Sequence, residues 1–297
     1  MRSSKRPKIE SVTRVLVALC VGLAVTATAQ ASTARSLSPA RAFADLNLWR
    51  AEAGERPVVR FSVANDRGCA LHERYLSMLG TLAHPEQPGH PGYTEAGAAA
   101  GMSSVLAEPA GLPKATWVDA VYHRMSVLQP RLRVSGFAAE NGYACLRTSG
   151  SAVDDSVSAR TKTLTLYPWP ANDATDQPLT FGHAAYEMPS PLNDAPGATS
   201  LGLLLSVNVN GPWADHAAPQ STLTAASLVA DGGASVPLSY SDAATPNRYY
   251  LNGGFALLPR LALQPGTSYT AHAAGIVEAA GVAYPFSITW HFTTSAA

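Results

Sequence analysis

Residues 69–97, CALHERYLSMLGTLAHPEQPGHPGYTEAG, change backbone preference three times in one short stretch. Leu71, Tyr75 and Met78 recur at helical spacing and Gly80 supplies the stop. His84 to Gly92 carries three prolines and cannot continue a helix. Thr94-Glu95 then reads as the cap and first turn of a small-residue helix, expected to run to Leu106. Upstream, Asn65-Asp66 is the expected cap of the first of these helices. Ser38-Pro39 opens an earlier one, with Phe43, Leu46, Trp49 and Ala53 in a stripe and Gly54 at its end. Downstream, Trp117 to Leu128 reads as a helix stopped by Pro130. Two strands follow, Arg131–Ala138 and Tyr143–Thr148, around an Asn141-Gly142 hairpin signal.

The text changes at Ser149. Residues 149–160 are polar and poor in apolar side chains, the composition of a linker. Beyond them come short apolar runs separated by turn residues: Leu164–Tyr167, Leu201–Val209, Ser235–Tyr240, Tyr249–Leu258, Ser268–Ala274 and Phe286–Phe292. The last alternates cleanly, with Phe286, Ile288, Trp290 and Phe292 on one face. The expected class is α+β, with a mixed region over 38–148 and an all-β sandwich over 161–297.

Composition limits the function. The 297 residues carry 21 basic and 21 acidic side chains, a formal net charge of zero, which argues against nucleic acid as a partner. Charged residues make up 14%, below the roughly 25% of an average soluble domain. Residues 1–31 read as a signal peptide. Arg2, Lys5, Arg6, Lys8 and Arg14 precede an apolar run, Val15–Val25, too short to span a bilayer. Ala27, Ala29 and Ala31 form overlapping A-x-A patterns for cleavage. Cys20 raises a lipoprotein anchor as the other reading, against which stand the bulky Leu19 and the continuing apolar run. The expectation is a secreted, periplasmic or cell-surface protein with no transmembrane segment after processing. Removing the leader leaves Cys69 and Cys145. An oxidising compartment favours a disulfide between them, and two separately buried thiols are the alternative.

His72, His84, His90 and His123 lie in one window with Glu73, Glu86, Glu95 and Asp119, the nitrogen and oxygen donors a divalent cation uses. No HExxH or CxxC fixes a metal geometry, so on residues alone scattered surface histidines are the plainer reading.

NLWRAEAG (47–54), the 69–97 segment and WVDAVYHRMSVLQPRLRVSGF (117–137) together resemble the bacterial branch of the CAP superfamily. That superfamily groups cysteine-rich secretory, antigen 5 and pathogenesis-related proteins. The likeness covers about residues 38–148 in chain order. It implies an α-β-α sandwich with a cleft holding His84, Glu95 and His123, the two histidines able to hold a divalent cation such as zinc. Glu86, Tyr93 and Arg124 are further cleft candidates. Arg124 could bind an anion, or pair structurally with Asp119 or Glu95. Thr94-Glu95-Ala96 departs from the family's Gly-Glu-Asn, and the second glutamate of the eukaryotic tetrad has no counterpart, a vacancy Glu86 would fill. The half from 161 onward resembles a bacterial Ig-like domain in PANDATDQP (170–178), LQPGTSY (263–269) and WHFTT (290–294).

Two functions follow. One is a non-catalytic exported module whose cleft, with or without metal, recognises a small ligand, a lipid or a surface partner. The other is a zinc-dependent hydrolase of peptidase type, with Glu95 as base. Catalytic zinc usually has three protein ligands and a water. Only two histidines can be named, which favours the binding module.

Overall fold

Pro39 sits where a missing N–H costs nothing, and Ser38 accepts from the Arg41 amide. Helix α1, Pro39–Glu52, therefore begins where the sequence reading puts it. The computed structural model describes residues 38–58, 60–108, 114–140, 142–154, 161–182, 187–213 and 219–296. The expected signal peptide and residues 155–160 of the expected linker lie outside the described residues.

After α1 come β1, Arg60–Phe61, α2, Val63–Leu79, α3, Glu95–Gly101, and β2, Ser104–Ala107. A π-turn at Ala115–Asp119 leads into α4, Val121–Val127, then β3, Val134–Ser135, β4, Phe137–Glu140, and β5, Tyr143–Arg147. The remaining strands are β6, Thr165–Trp169, β7, Ala174–Gln177, β8, Leu205–Asn210, and β9, Gln220–Ala230. Then follow β10, Leu238–Ser241, β11, Phe255–Pro259, β12, Ser268–Ala279, and β13, Val282–Thr294. The class is mixed α+β.

Three local expectations change. Helix α2 starts earlier than Asn65-Asp66, because those side chains point across to the sheet. Asp66 accepts the Phe137 amide at 2.8 Å, and Asn65 donates to the Ser135 carbonyl at 3.4 Å. Helix α3 stops at Gly101 instead of reaching Leu106. Val105 and Ala107 turn to one core while Leu106 turns to another, an alternation only a strand allows. The expected helix over Trp117–Leu128 breaks at Ala120, whose ψ is 119°. Strand β9 has no counterpart in the sequence reading.

Strands β2, β5 and β4 form an antiparallel sheet in that order. On one face Leu106, Ala138 and Cys145 pack with Cys69 of α2. On the other Val105, Phe137, Ala144 and Leu146 pack with Ala42, Leu46 and Trp49 of α1. Helices therefore cover both faces. The Cys69–Cys145 disulfide ties α2 to the central strand, its Cα atoms 5.4 Å apart. It closes a loop with a sequence separation of 76, for which the chain-entropy model gives about 4–5 kcal/mol. The family-like residues near the start are structural. Buried Arg50 donates to the carbonyls of Arg56, Val127 and Gln129, and Asn47 exchanges two hydrogen bonds with Val58.

The later strands form two four-stranded sheets, β10-β11-β8-β6 and β7-β13-β12-β9. Leu205, Val207, Phe255 and Leu257 of one meet Tyr269, Ala271, Trp290 and Phe292 of the other. Pro265-Gly266 makes the expected turn, with Gly266 at φ 58°, and Tyr269 accepts the Gln264 amide through its hydroxyl at 2.8 Å. A third core joins the two regions: Val121, Tyr122 and Met125 of α4 pack against Leu201, Leu204, Leu251, Ala256 and Leu258. Among the described residues no helix is long and apolar enough to cross a membrane.

Glu73, on the buried face of α2, is fully enclosed, and among the described residues neither of its oxygens makes a well-formed hydrogen bond. Burial raises its pKa to about 9, only partly offset by the amides of Glu140 and Cys145. The folded value lies above the ordinary 4.5, so its stabilising contribution is complete below about pH 4.5 and is lost as pH rises towards 9. Glu73→Gln should therefore gain stability over the wild type as pH rises from 5 to 8.5, by on the order of a few kcal/mol. Urea unfolding at the two pH values reads this, and a pH-independent difference would contradict it.

Candidate functional site

His84 lies in the Pro/Gly loop, exposed, and its Nδ1 is 2.8 Å from the Gly101 carbonyl. A carbonyl only accepts, so Nδ1 carries a proton, and in the neutral ring Nε2 is the acceptor. Gly101 is required here: a Cβ would collide with the His84 carbonyl and the His72 ring. His123, half-buried on α4, repeats the arrangement. Its Nδ1 is 3.0 Å from the Thr116 carbonyl and its ring stacks on Trp117 with centroids 5.6 Å apart. Burial holds the His123 imidazole below its ordinary pKa against the pull of the Thr116 carbonyl. A charge on His84 acts in the same direction. Among the described residues, neither Nε2 makes a hydrogen bond.

The break before α4 sets the position of His123. In a continuous helix, Tyr122 and His123 would donate to Val118 and Asp119. Instead the Glu187 carboxylate, from the later half of the chain, accepts the amides of Val121, Tyr122 and His123 at 3.0, 2.7 and 3.1 Å. Arg124 takes up the carbonyls left over, donating to Val118 at 2.7 Å and Asp119 at 3.4 Å. It also reaches Leu204 O at 2.7 Å and Ser206 Oγ at 2.9 Å across the shared core. Burial lowers its pKa to about 10, against the opposing pull of Asp119 and Glu187, so it stays charged at neutral pH. Glu187 is pushed up to about 7 by burial, with the three amides and Arg124 pulling it down. Beside this clasp, Tyr122 donates to Asp194 at 3.0 Å and accepts from Asn247 at 2.8 Å.

These contacts remove Arg124 from the set of cleft residues: fully buried and saturated by protein acceptors, it offers nothing to a ligand. Its structural role is the one the sequence allows, but its partners are carbonyls and a hydroxyl, and no ion pair to Asp119 or Glu95 is present among the described residues. Glu86 also leaves the cleft. Its Oε1 lies 3.0 Å from His72 Nδ1, and its Oε2 accepts the Thr94 amide at 3.0 Å. His72 completes the lock with Nε2 3.0 Å from Ala83 O, so α2, the His/Pro/Gly loop and the start of α3 are held by one buried pair. Glu95 is exposed at the first position of α3, while Thr94 caps the helix by accepting the Gly97 amide. Tyr93 is half-buried against Tyr75, Leu76 and Tyr143.

The donor set tests the metal expectation. Two imidazoles with Nδ1 fixed by carbonyls have the outer-sphere support that metal-binding histidines normally show. No group of three or more His, Cys, Asp or Glu side chains that could hold a metal ion occurs among the described residues. The described residues therefore do not fit a three-ligand catalytic zinc site. Glu187, Asp194 and Asn247 went unnoticed in the sequence because nothing local marks them, and their partners on α4 lie more than sixty residues away. Comparison with protein-family models and with curated proteins finds no match.

If Glu86 is structural, Glu86→Ala leaves a buried imidazole and the Thr94 amide unpaired and should cost about 3–5 kcal/mol. Hydrogen exchange should quicken across residues 83–94. Unchanged stability would return Glu86 to the list of ligand-facing residues.

Proposed function

We propose that the chain is an exported, non-catalytic binding module, a CAP-type domain over 38–148 followed by an Ig-like sandwich over 161–297. Its ligand-facing groups are the Nε2 atoms of His84 and His123. One observation carries this reading: both rings are anchored through Nδ1 to backbone carbonyls, which fixes each imidazole and leaves the Nε2 of the neutral ring as an acceptor. Such a pair suits a hydrogen-bond donor on a ligand, or a divalent cation that itself recruits an oxygen ligand. The motif order over 47–137 supports the domain assignment, and the basic, apolar and small-residue order of residues 1–31 supports export. The Cys69–Cys145 disulfide is compatible with an oxidising compartment.

The hydrolase reading loses support at the donor set. It needs a third ligand and a base beside the bound water, and Glu95 lies on the surface at the start of α3.

Calorimetric titration with Zn²⁺ on the wild type, His84→Ala and His123→Ala, alongside a peptide-hydrolysis assay, separates the two. Weak stoichiometric binding that falls at least about tenfold in either variant, with no turnover, is expected. Turnover abolished by His123→Ala would establish the hydrolase instead.

A further inference from the structure

We infer that the protein binds a small oxyanion of the phosphate type at the buried guanidinium of Arg147, the last residue of β5. Three arginines are buried among the described residues. Arg50 donates to three carbonyls and lies 4.0 Å from the Glu55 carboxylate. Arg124 is saturated by three carbonyls and the Ser206 hydroxyl. Arg147 is supplied with neither. A guanidinium carries five N–H donors. Here Nη2 donates to Ser151 Oγ at 3.2 Å, and Nε is enclosed without a partner. Burial lowers the pKa of Arg147, and no carboxylate among the described residues opposes that. A buried charge is costly until it is paired and hydrogen-bonded, so the group calls for an anion from outside the chain.

The protein groups beside the guanidinium are already engaged. A Cβ at Gly68 of α2 would stand 4.0 Å from Nη1 and 3.2 Å from the Ala100 Cβ, so α2 and α3 wall one side of the slot. The carbonyls where α3 ends have their donors: Ala98 O takes the Met102 amide, Ala99 O the Ser103 hydroxyl, and Ala100 O the Ser104 hydroxyl and the Ser103 amide. Ser103 O takes the amides of Thr148 and Ser149. Ser151 donates its own hydroxyl to Asn65 Oδ1 at 2.9 Å, which fixes it as the acceptor for Nη2. The other side is open. Gly150 and Ser151 are exposed, and Gly150, at φ 59°, has only a hydrogen where a Cβ would stand 3.6 Å from Nη2 and 3.6 Å from the Ser103 Cβ. Beyond Ser151 the chain leaves the slot. Ala152 O accepts the Arg133 amide and the Asp154 amide donates to Arg131 O, which carries it away from Gly136, the residue whose carbonyl accepts the Arg147 amide. An arginine fork matches two oxygens of a phosphate group, and a rim of glycine and serine suits a compact polar ligand. The site shares no residue with the histidine pair.

Inorganic phosphate and methyl phosphate serve as probes, titrated into the full chain at constant ionic strength with chloride as the balancing anion. The arginine Nε–H signals are followed by ¹H–¹⁵N NMR. One signal, missing from Arg147→Met, should shift and saturate with phosphate. Equal affinity for methyl phosphate assigns the site to a phosphorylated ligand, and its exclusion assigns it to the free anion. Gly150→Asp is the second variant, since aspartate tolerates a left-handed backbone and its carboxylate would take the anion's place beside Nη2. In phosphate-free buffer it should unfold at a higher urea concentration than the wild type, and it should bind phosphate at least about tenfold more weakly. His123→Ala should bind phosphate as the wild type does. No saturable shift of the Arg147 signal, or an unchanged phosphate affinity in Gly150→Asp, would overturn the proposal.

Discussion

A buried guanidinium needs acceptors for all its donors, and a helix that begins inside a protein needs acceptors for its first amides. At the junction of this chain the two needs are met together. The π-turn and α4 would be one helix if Tyr122 and His123 donated to Val118 and Asp119. Glu187 takes the amides and Arg124 takes the carbonyls, so the break leaves neither set unpaired. Arg124 then continues to Leu204 and Ser206, and Tyr122 to Asp194, so the same turn of backbone fastens the early half to the later one. Removing either side chain leaves buried backbone groups without a partner, which typically costs about 1–3 kcal/mol for each.

The rest follows from that clasp. With α4 fixed, His123 is held with its ring on Trp117 and its Nδ1 on Thr116. A second buried pair, His72 with Glu86, fixes the loop that carries His84. The two imidazoles are thus supported by separate locks on separate elements.

Much of the fold was legible wherever one residue carries the decision. Ser38-Pro39, Gly80 and Thr94 mark helix ends by backbone chemistry that needs no partner, and Pro265-Gly266 does the same for a turn. The Phe286–Phe292 alternation read directly as a half-buried strand. What failed depends on distant contacts. Val105 and Leu106 suit either helix or strand, and only the two cores on either side of β2 decide between them. The strand Gln220–Ala230 is rich in Ala, Ser and Thr and gives no apolar signal of its own; its pairing along β12 makes it a strand. In the site, the histidines stood out by type and order. Glu86 and Arg124 looked like ligand-facing groups because a charge in a motif gives no hint of its burial.

The central claim is that the His84 and His123 rings are each anchored through an Nδ1–H on a backbone carbonyl. Long-range ¹H–¹⁵N NMR of the histidine side chains reads this directly. The account predicts the Nδ1–H tautomer for both rings at neutral pH, with His123 staying neutral further into acid than an ordinary histidine. An Nε2–H tautomer in the neutral form of either ring, or freely averaging rings, would contradict it.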